Sequence, residues 1–560
     1  MSLTSGIQRL ALHGRAAEKP LSTFAPLLWL SAACFAVTLA WLLQIEGRTP
    51  LLVWDEAGRV STGEGLSDAI AHLSLPALWH WLHAQAFYPP LMPALHGLAG
   101  AAGAEPLTAA WLPSLLAYGL AGLLTANLAR RLGLPIAGCA LAAGLYWTAP
   151  LSVRLAAWGA TEHIAACLFL LLASLLVQLE RRPALGTAVA AGAIAGLTAL
   201  LKYDSAVVAL GTLGLSTAIA LPLHGRRAFA MHALALVTFT LLAMAWLSFE
   251  TGAKTAAFQE FLGQGNASET RGMRPLLYLD LLLQSTLDGE RNPTGLAPLT
   301  GLMFFFGAVY AAYLAARRRL SPQAFLLLAI AMAMYSGSAL KDVRFLGPLV
   351  PFYAIFAALL SVDAYRWAEP RLSGSRRAVV IAAAAVLAFS QVAWQVGGPQ
   401  GLTSRFSYLE PSRDVEQLVS FTMAQLSGER GEVLLAGSTN WFSPRALQLA
   451  WHRPDGNVPP IRGLSPQGIS RASNNELVAA ALRDDRADPA VTLSLDPGSP
   501  LYTGDPHYEN QRAAIAAIEG LEATGRVSKR GALSLQDGAL RVDVWRIAER
   551  GALSLQALSP

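Results

Sequence analysis

The first 396 residues alternate between long apolar blocks and short polar turns. Eleven blocks approach the roughly 20 residues that a helix needs to cross a bilayer. They are Phe24–Ile45, Leu107–Ala129, Pro135–Val153, Ile164–Leu179, Leu185–Leu201, Ala206–Leu221, Ala228–Phe249, Ala297–Ala316, Ala324–Leu340, Phe345–Val362 and Ala378–Val396. Each is expected to be helical, because hydrocarbon offers no partner for an open backbone N–H or C=O. Several are rich in Gly and Ala, which lets helices approach closely in lipid.

A twelfth apolar piece, Pro89–Ala104, is shorter and carries His96. The distribution of arginine decides its reading. If it does not span, one side of the membrane collects Arg130 and Arg131, Arg181 and Arg182, Arg226 and Arg227, Arg317 to Arg319, and Arg366, Arg371, Arg376 and Arg377. That regularity is the positive-inside pattern, and Pro89–Ala104 is then a re-entrant or surface-lying part of the first outer loop. The organisation that follows is a cytoplasmic leader, 1–23, and a transmembrane domain, 24–396. Its first outer loop runs over 46–106 and its second large outer loop over 250–295. Within the first loop, Ser67–Ala86 reads as an amphipathic helical stretch with tryptophans suited to the headgroup layer.

From about Gly397 the composition becomes that of a soluble chain. A helix is expected over Ser412–Ser427, strands over Glu432–Ala436, Ala490–Leu495 and Leu540–Ile547, and a helix over Gln511–Glu522. Alternating helix and strand predicts an extracytoplasmic α/β domain, 397–560.

Composition agrees with this division. The chain is 54% hydrophobic and only 14% charged, against roughly 25% charged in soluble domains. Cys34, Cys139 and Cys167 all lie inside apolar blocks, so neither a disulfide framework nor a zinc spacing is present. His72, His80, His83 and His96 share the first outer loop without a metal-ligand spacing. The net charge of +5 is modest, and no nucleic-acid partner is expected.

The informative residues are the mixed-sign ones at the outer ends of the blocks. Asp55, Glu56 and Arg59 follow the first block; Arg154 closes the third and Glu162-His163 opens the fourth. Lys202-Tyr203-Asp204 joins the fifth to the sixth, and Lys341-Asp342-Val343-Arg344 the ninth to the tenth. The deduced topology puts all of them on one side. Ionisable residues at membrane depth are costly unless paired or facing a wet cavity, which makes them functional candidates. Carboxylates can take a proton from an acceptor hydroxyl or hold a divalent metal, with Asp55 and Glu162 the candidate ligands. Lysine and arginine can neutralise a leaving phosphate. Such groups at a bilayer surface suit a sugar carried on a polyprenyl phosphate.

The chain resembles the GT-C glycosyltransferases, in the branch of the protein O-mannosyltransferases, the aminoarabinose transferase that modifies lipid A, and rhizobial galacturonosyltransferases. The resemblance rests on Asp55-Glu56, Tyr88-Pro89-Pro90-Leu91, Ala129-Arg130-Arg131-Leu132, Glu162, Lys202-Tyr203, and Arg344-Phe345 with Pro348 and Pro351. It covers roughly the first two-thirds of the chain. Ala-Gly-Arg follows Asp55-Glu56 where Ala-Arg-Tyr is commoner, and Glu162 stands where Asp is usual. The resemblance implies an inverting transfer from a lipid-phosphate sugar to a glycolipid, lipid A, cell-wall glycan or protein acceptor. It implies Asp55 as base, Glu56 and Glu162 as supporting acids or metal ligands, and Lys202 and Arg344 as donor-phosphate contacts. Arg59 and Arg154 join the second group, and Tyr88, His163 and Tyr203 are supporting residues.

The competing reading is a transporter or flippase of lipid-linked or small anionic substrates. It predicts two related halves and charges near the midplane, whereas the charges here gather at one face. The composition and short cytoplasmic turns point to a bacterial inner membrane.

Overall fold

The computed structural model describes residues 25–46, 54–83, 88–157, 159–248, 254, 298–337 and 343–368 of the apolar region. In the tail it describes 412–426, 433–435, 447, 461–463, 491–496, 519–520, 522–523, 525, 527–535 and 540–547. Ten of the eleven expected blocks fall on helices, and Ala378–Val396 lies outside the described residues.

The helices of the first half are α1 (Ala25–Glu46), α2 (Trp54–Ala71), α3 (Leu75–His83), α4 (Leu91–Ala101), α5 (Pro106–Arg131), α6 (Ile136–Thr148) and α7 (Pro150–Ala157). They continue as α8 (Glu162–Arg181), α9 (Leu185–Leu201), α10 (Tyr203–His224), α11 (Arg226–Leu247), α12 (Pro298–Ala316), α13 (Pro322–Gly337) and α14 (Val350–Ala368). A 3-10 segment, Val343–Leu349, leads into α14. Among the described residues, five stretches are long and apolar enough to cross a membrane: α5, α8, α10, α11 and Arg344–Trp367. The bent pair α6–α7 makes a sixth, and Trp29–Ala40, Leu185–Leu201, Gly301–Ala316 and Pro322–Gly337 are apolar but shorter.

Two expectations change. Pro135–Val153 is not one straight span: α6 and α7 meet at 57° on either side of Ala149. Pro150 cannot donate to the turn before it and fits only the start of a new helix. Ser67–Ala86 is not one helix either. Its first residues finish α2, the chain turns at Leu73 with φ of 48°, and α3 begins at Leu75. Pro89–Ala104 does form a helix, α4, of only 11 residues, about 16 Å long and half a bilayer core.

The core is built from Tyr118, Tyr146, Phe169, Phe304, Phe352 and Phe356, all fully buried. Around it α8 and the stretch leading through α14 are the enclosed helices, each 78% buried, against 28–39% for α5, α10 and α11. Those outer helices expose leucines such as Leu116, Leu123 and Leu241, as helices facing lipid do.

Helices α2 and α4 pack backbone to backbone. A β-carbon on Gly63 would stand 2.7 Å from the Pro93 carbonyl oxygen and 2.9 Å from the Gly97 nitrogen. Gly63→Ala is therefore expected to push the pair apart and cost about 1–3 kcal/mol. An unchanged thermal unfolding midpoint would show that the contact yields.

In the tail, a helix at Ser412–Leu426 accompanies a five-stranded sheet. Its strands are β1 (Val433–Leu435), β2 (Ile461–Gly463), β3 (Val491–Asp496), β4 (Val527–Leu535) and β5 (Leu540–Ile547), in the order β2-β1-β3-β5-β4. The β2-β1-β3 part is parallel, and β5 and β4 add antiparallel. The expected strands at β1, β3 and β5 are present; β2 and β4 were not anticipated. Most of Gln511–Glu522 lies outside the described residues.

Candidate active site

The two most enclosed helices begin beside one another. Glu162 opens α8, and Arg344 lies in the 3-10 segment that precedes α14. Gly347 makes the approach possible: a β-carbon there would sit 3.1 Å from the Glu162 Cβ and overlap Leu155. Glu162 is 98% buried by the surrounding protein, at a helix end whose dipole favours a carboxylate.

Its partner comes from the junction of α9 and α10, where Lys202 is the single non-helical residue, with extended backbone. Lys202 Nζ donates to Glu162 Oε1 at 3.1 Å and lies 3.4 Å from Asp204 Oδ2. It also stands 4.8 Å from the Phe345 ring centroid, a cation–π distance, and Phe345 stacks on Tyr335. Burial pulls the Lys202 pKa down, but the Asp204 and Glu162 carboxylates outweigh this and leave it above the ordinary lysine value. The ammonium stays charged at neutral pH.

A second pair comes from the segment between α1 and α5. On α2, Arg59 Nη1 donates to Glu56 Oε1 at 2.7 Å, and both side chains are buried. The guanidinium stands 5.2 Å from the Tyr88 ring centroid. Tyr88 begins the Pro89-Pro90 corner that turns the chain into α4. The two pairs share one electrostatic neighbourhood: Lys202, Arg344 and Arg59 all act on the Glu162 carboxylate, and Arg344 and Arg59 act on Lys202.

Five elements distant in sequence thus converge: α2, the Tyr88 corner, the start of α8, the α9–α10 junction and the 3-10 segment before α14. No family model and no curated protein matches the sequence at a significant level. Solved structures do match. The structure of ArnT from Cupriavidus metallidurans bound to undecaprenyl phosphate aligns with a TM-score of 0.57 at 15% identity, covering 96% of this chain and 99% of that one. ArnT in the apo state aligns at 0.54 with 14% identity, covering 94% and 98%. Arabinofuranosyltransferase AftD from Mycobacteria aligns at 0.51 with 15% identity, over 94% of this chain but 42% of AftD. The chain has a GT-C fold.

Within the GT-C fold, the anticipated residues divide into three groups. Glu56, Arg59, Tyr88, Glu162, Lys202 and Arg344 come together as described. Asp55 lies in the first turn of α2 and Arg154 in α7, but their side chains fall outside the described residues. His163 points into the core, its Nδ1 2.8 Å from the Tyr146 hydroxyl and its ring edge-on to Tyr118. Tyr203 is half-buried beside Trp246. Among the described residues, no group of three or more His, Cys, Asp or Glu side chains is placed to hold a metal ion.

Asp204, named with Lys202-Tyr203 among the mixed-sign residues but given no role, completes the Lys202 pair. One residue was missed. Lys254 is buried, donates to the Trp246 carbonyl at 2.8 Å and lies 3.6 Å over the Trp246 ring. Nothing in the local sequence marks it.

Proposed function

We propose that the protein is a membrane glycosyltransferase that moves a sugar from a polyprenyl-phosphate donor to an extracytoplasmic acceptor, with inversion at the anomeric carbon. The observation that carries this reading is the convergence of Lys202, Arg344 and Arg59 around buried Glu162. Cations held in place by carboxylates suit a phosphate that must be bound and then released. The fold adds support, since the ArnT structure with the same fold is bound to undecaprenyl phosphate.

In the mechanism, the Asp55 carboxylate takes the proton of the acceptor hydroxyl as its oxygen attacks the anomeric carbon. The bond from that carbon to the phosphate oxygen breaks on the opposite face, and the lipid phosphate leaves with both electrons. Lys202, Arg344, Arg59 and Arg154 stabilise the charge that develops on it. Glu56 and Glu162 keep Arg59 and Lys202 oriented, Tyr88 packs against Arg59, and His163 and Tyr203 support the surrounding helix ends. The acceptor is a glycolipid such as lipid A, a cell-wall glycan or a protein. The protein resides in a bacterial inner membrane with the tail on the periplasmic side.

Cryo-EM of the purified protein with undecaprenyl phosphate tests this reading. Phosphate density between Lys202 and Arg344 is the expected result. Lipid bound elsewhere, or a cavity opening toward the arginine-rich turns, would replace it with the transport reading.

A further inference from the structure

His96 is the least expected buried group outside the cluster. It is 98% buried on α4, and among the described residues neither ring nitrogen has a partner in full hydrogen-bond geometry. Its position is set by the tight α2–α4 contact: a β-carbon on Gly63 would be 3.0 Å from the His96 Cβ. Gly63 is one helical turn beyond Arg59, so His96 packs beside the stretch of α2 that carries the guanidinium. The ring faces two backbone carbonyls, those of Arg59 on α2 and Ala110 on α5, without hydrogen-bond geometry to either.

The Ala110 carbonyl has a second neighbour. It abuts Gly159, where an added β-carbon would stand 3.0 Å away and φ is 69°. One turn along α5, Ser114 donates to the Ala160 carbonyl at 2.9 Å. Gly159 and Ala160 belong to the turn that delivers Thr161 and Glu162. The same end of α5 therefore touches His96 on one side and the approach to Glu162 on the other.

A neutral imidazole is a rigid plane with a nitrogen on each of two edges and one N–H to share between them. Burial, and then the Arg59 charge, hold the His96 pKa at about 3, so the ring is neutral at working pH. Leucine or phenylalanine would fill this space without a polar cost, whereas a histidine facing two carbonyls suits a spacer between backbones.

We propose that His96 is a positioning residue: wedged between the backbones of α2 and α5, it sets where the Arg59 guanidinium stands relative to Glu162. This rests on the reading of Arg59 as a donor-phosphate contact. The test is a double-mutant cycle on the full-length protein with undecaprenyl phosphate as the probe. His96→Phe keeps a flat aromatic ring, slightly larger than the imidazole, and removes both nitrogens. It is expected to weaken binding about tenfold with Arg59 present and by less than about twofold in an Arg59→Ala background. Equal losses in the two backgrounds, or no loss in either, would overturn the proposal, because a core filler does not act through Arg59. If His96→Phe does not yield folded protein, His96→Gln is read by the same cycle. If the wild type binds no undecaprenyl phosphate, the proposed function fails separately, and hydrogen exchange then decides on His96. Faster exchange in His96→Phe at the α2 amides around Arg59 together with residues 159–161 supports the spacer. Unchanged exchange at both places overturns it.

Discussion

Asp55→Asn is expected to leave a protein that inserts, folds and binds undecaprenyl phosphate but transfers sugar about a hundredfold to ten-thousandfold more slowly, the range a general base contributes. Asparagine has nearly the shape of aspartate, so packing around the first turn of α2 should change little. What it loses in stability is the attraction between a carboxylate and the helix N-terminus, about 0.3–1 kcal/mol. The two effects differ enough to be separated by measuring the unfolding midpoint and the transfer rate on the same preparation. Transfer at near wild-type rate would remove Asp55 as the base and direct attention to Glu56, one residue on. A collapse of both stability and activity would instead show that Asp55 holds the start of α2, and the base would remain to be found.

The membrane-embedded part was legible because its signal is coarse. A block of roughly 20 apolar residues has few other uses. The failures have physical causes. Residues 54–66 were read as loop because Asp, Glu, Arg, Ser and three glycines interrupt their few apolar positions. Their helix is held by tertiary packing: the Gly63 contact lies among buried Ala57, Val60, Leu66 and Ala69, side chains too small and too few to stand out in the sequence. The bend at Pro150 was read through because the residues on both sides are apolar, although a proline in the middle of a block is a signal for a break. In the tail, β4 has the sequence VSKRGALSL, whose adjacent charges and glycine hide any alternation, and its ladder shifts register between Lys529 and Gly531.

The candidate site was legible as a set of charges at the ends of apolar blocks, not as a set of partners. Glu162, Lys202 and Arg344 stand out individually because a charge at the end of an apolar helix needs a reason. That Lys202 chooses Glu162, or that Gly347 lets the 3-10 segment press against the same carboxylate, depends on helix packing that no local pattern records. His163 shows the reverse case. It adjoins Glu162 in sequence, yet one residue of helix is about 100° of rotation, and that turns its ring toward Tyr146.

Lys202→Ala is expected to destabilise the protein by about 3–5 kcal/mol, the usual cost of removing one partner from a buried ion pair. Glu162 has 2% exposure and cannot be rehydrated when the ammonium is gone. Because Arg344 and Arg59 also act on it, the loss should fall toward the lower end of that range. The double variant Lys202→Ala/Glu162→Gln removes the stranded charge as well, and should recover most of the lost stability. Undecaprenyl phosphate affinity is expected to behave differently. If Lys202 contacts the phosphate, affinity falls in the single variant and stays low in the double, since neither restores a cation. Thermal unfolding and lipid titration on the same three proteins therefore separate the two roles of the residue. Recovery of affinity along with stability in the double variant would mean that Lys202 only neutralises Glu162, and donor binding would then pass to Arg344 and Arg59.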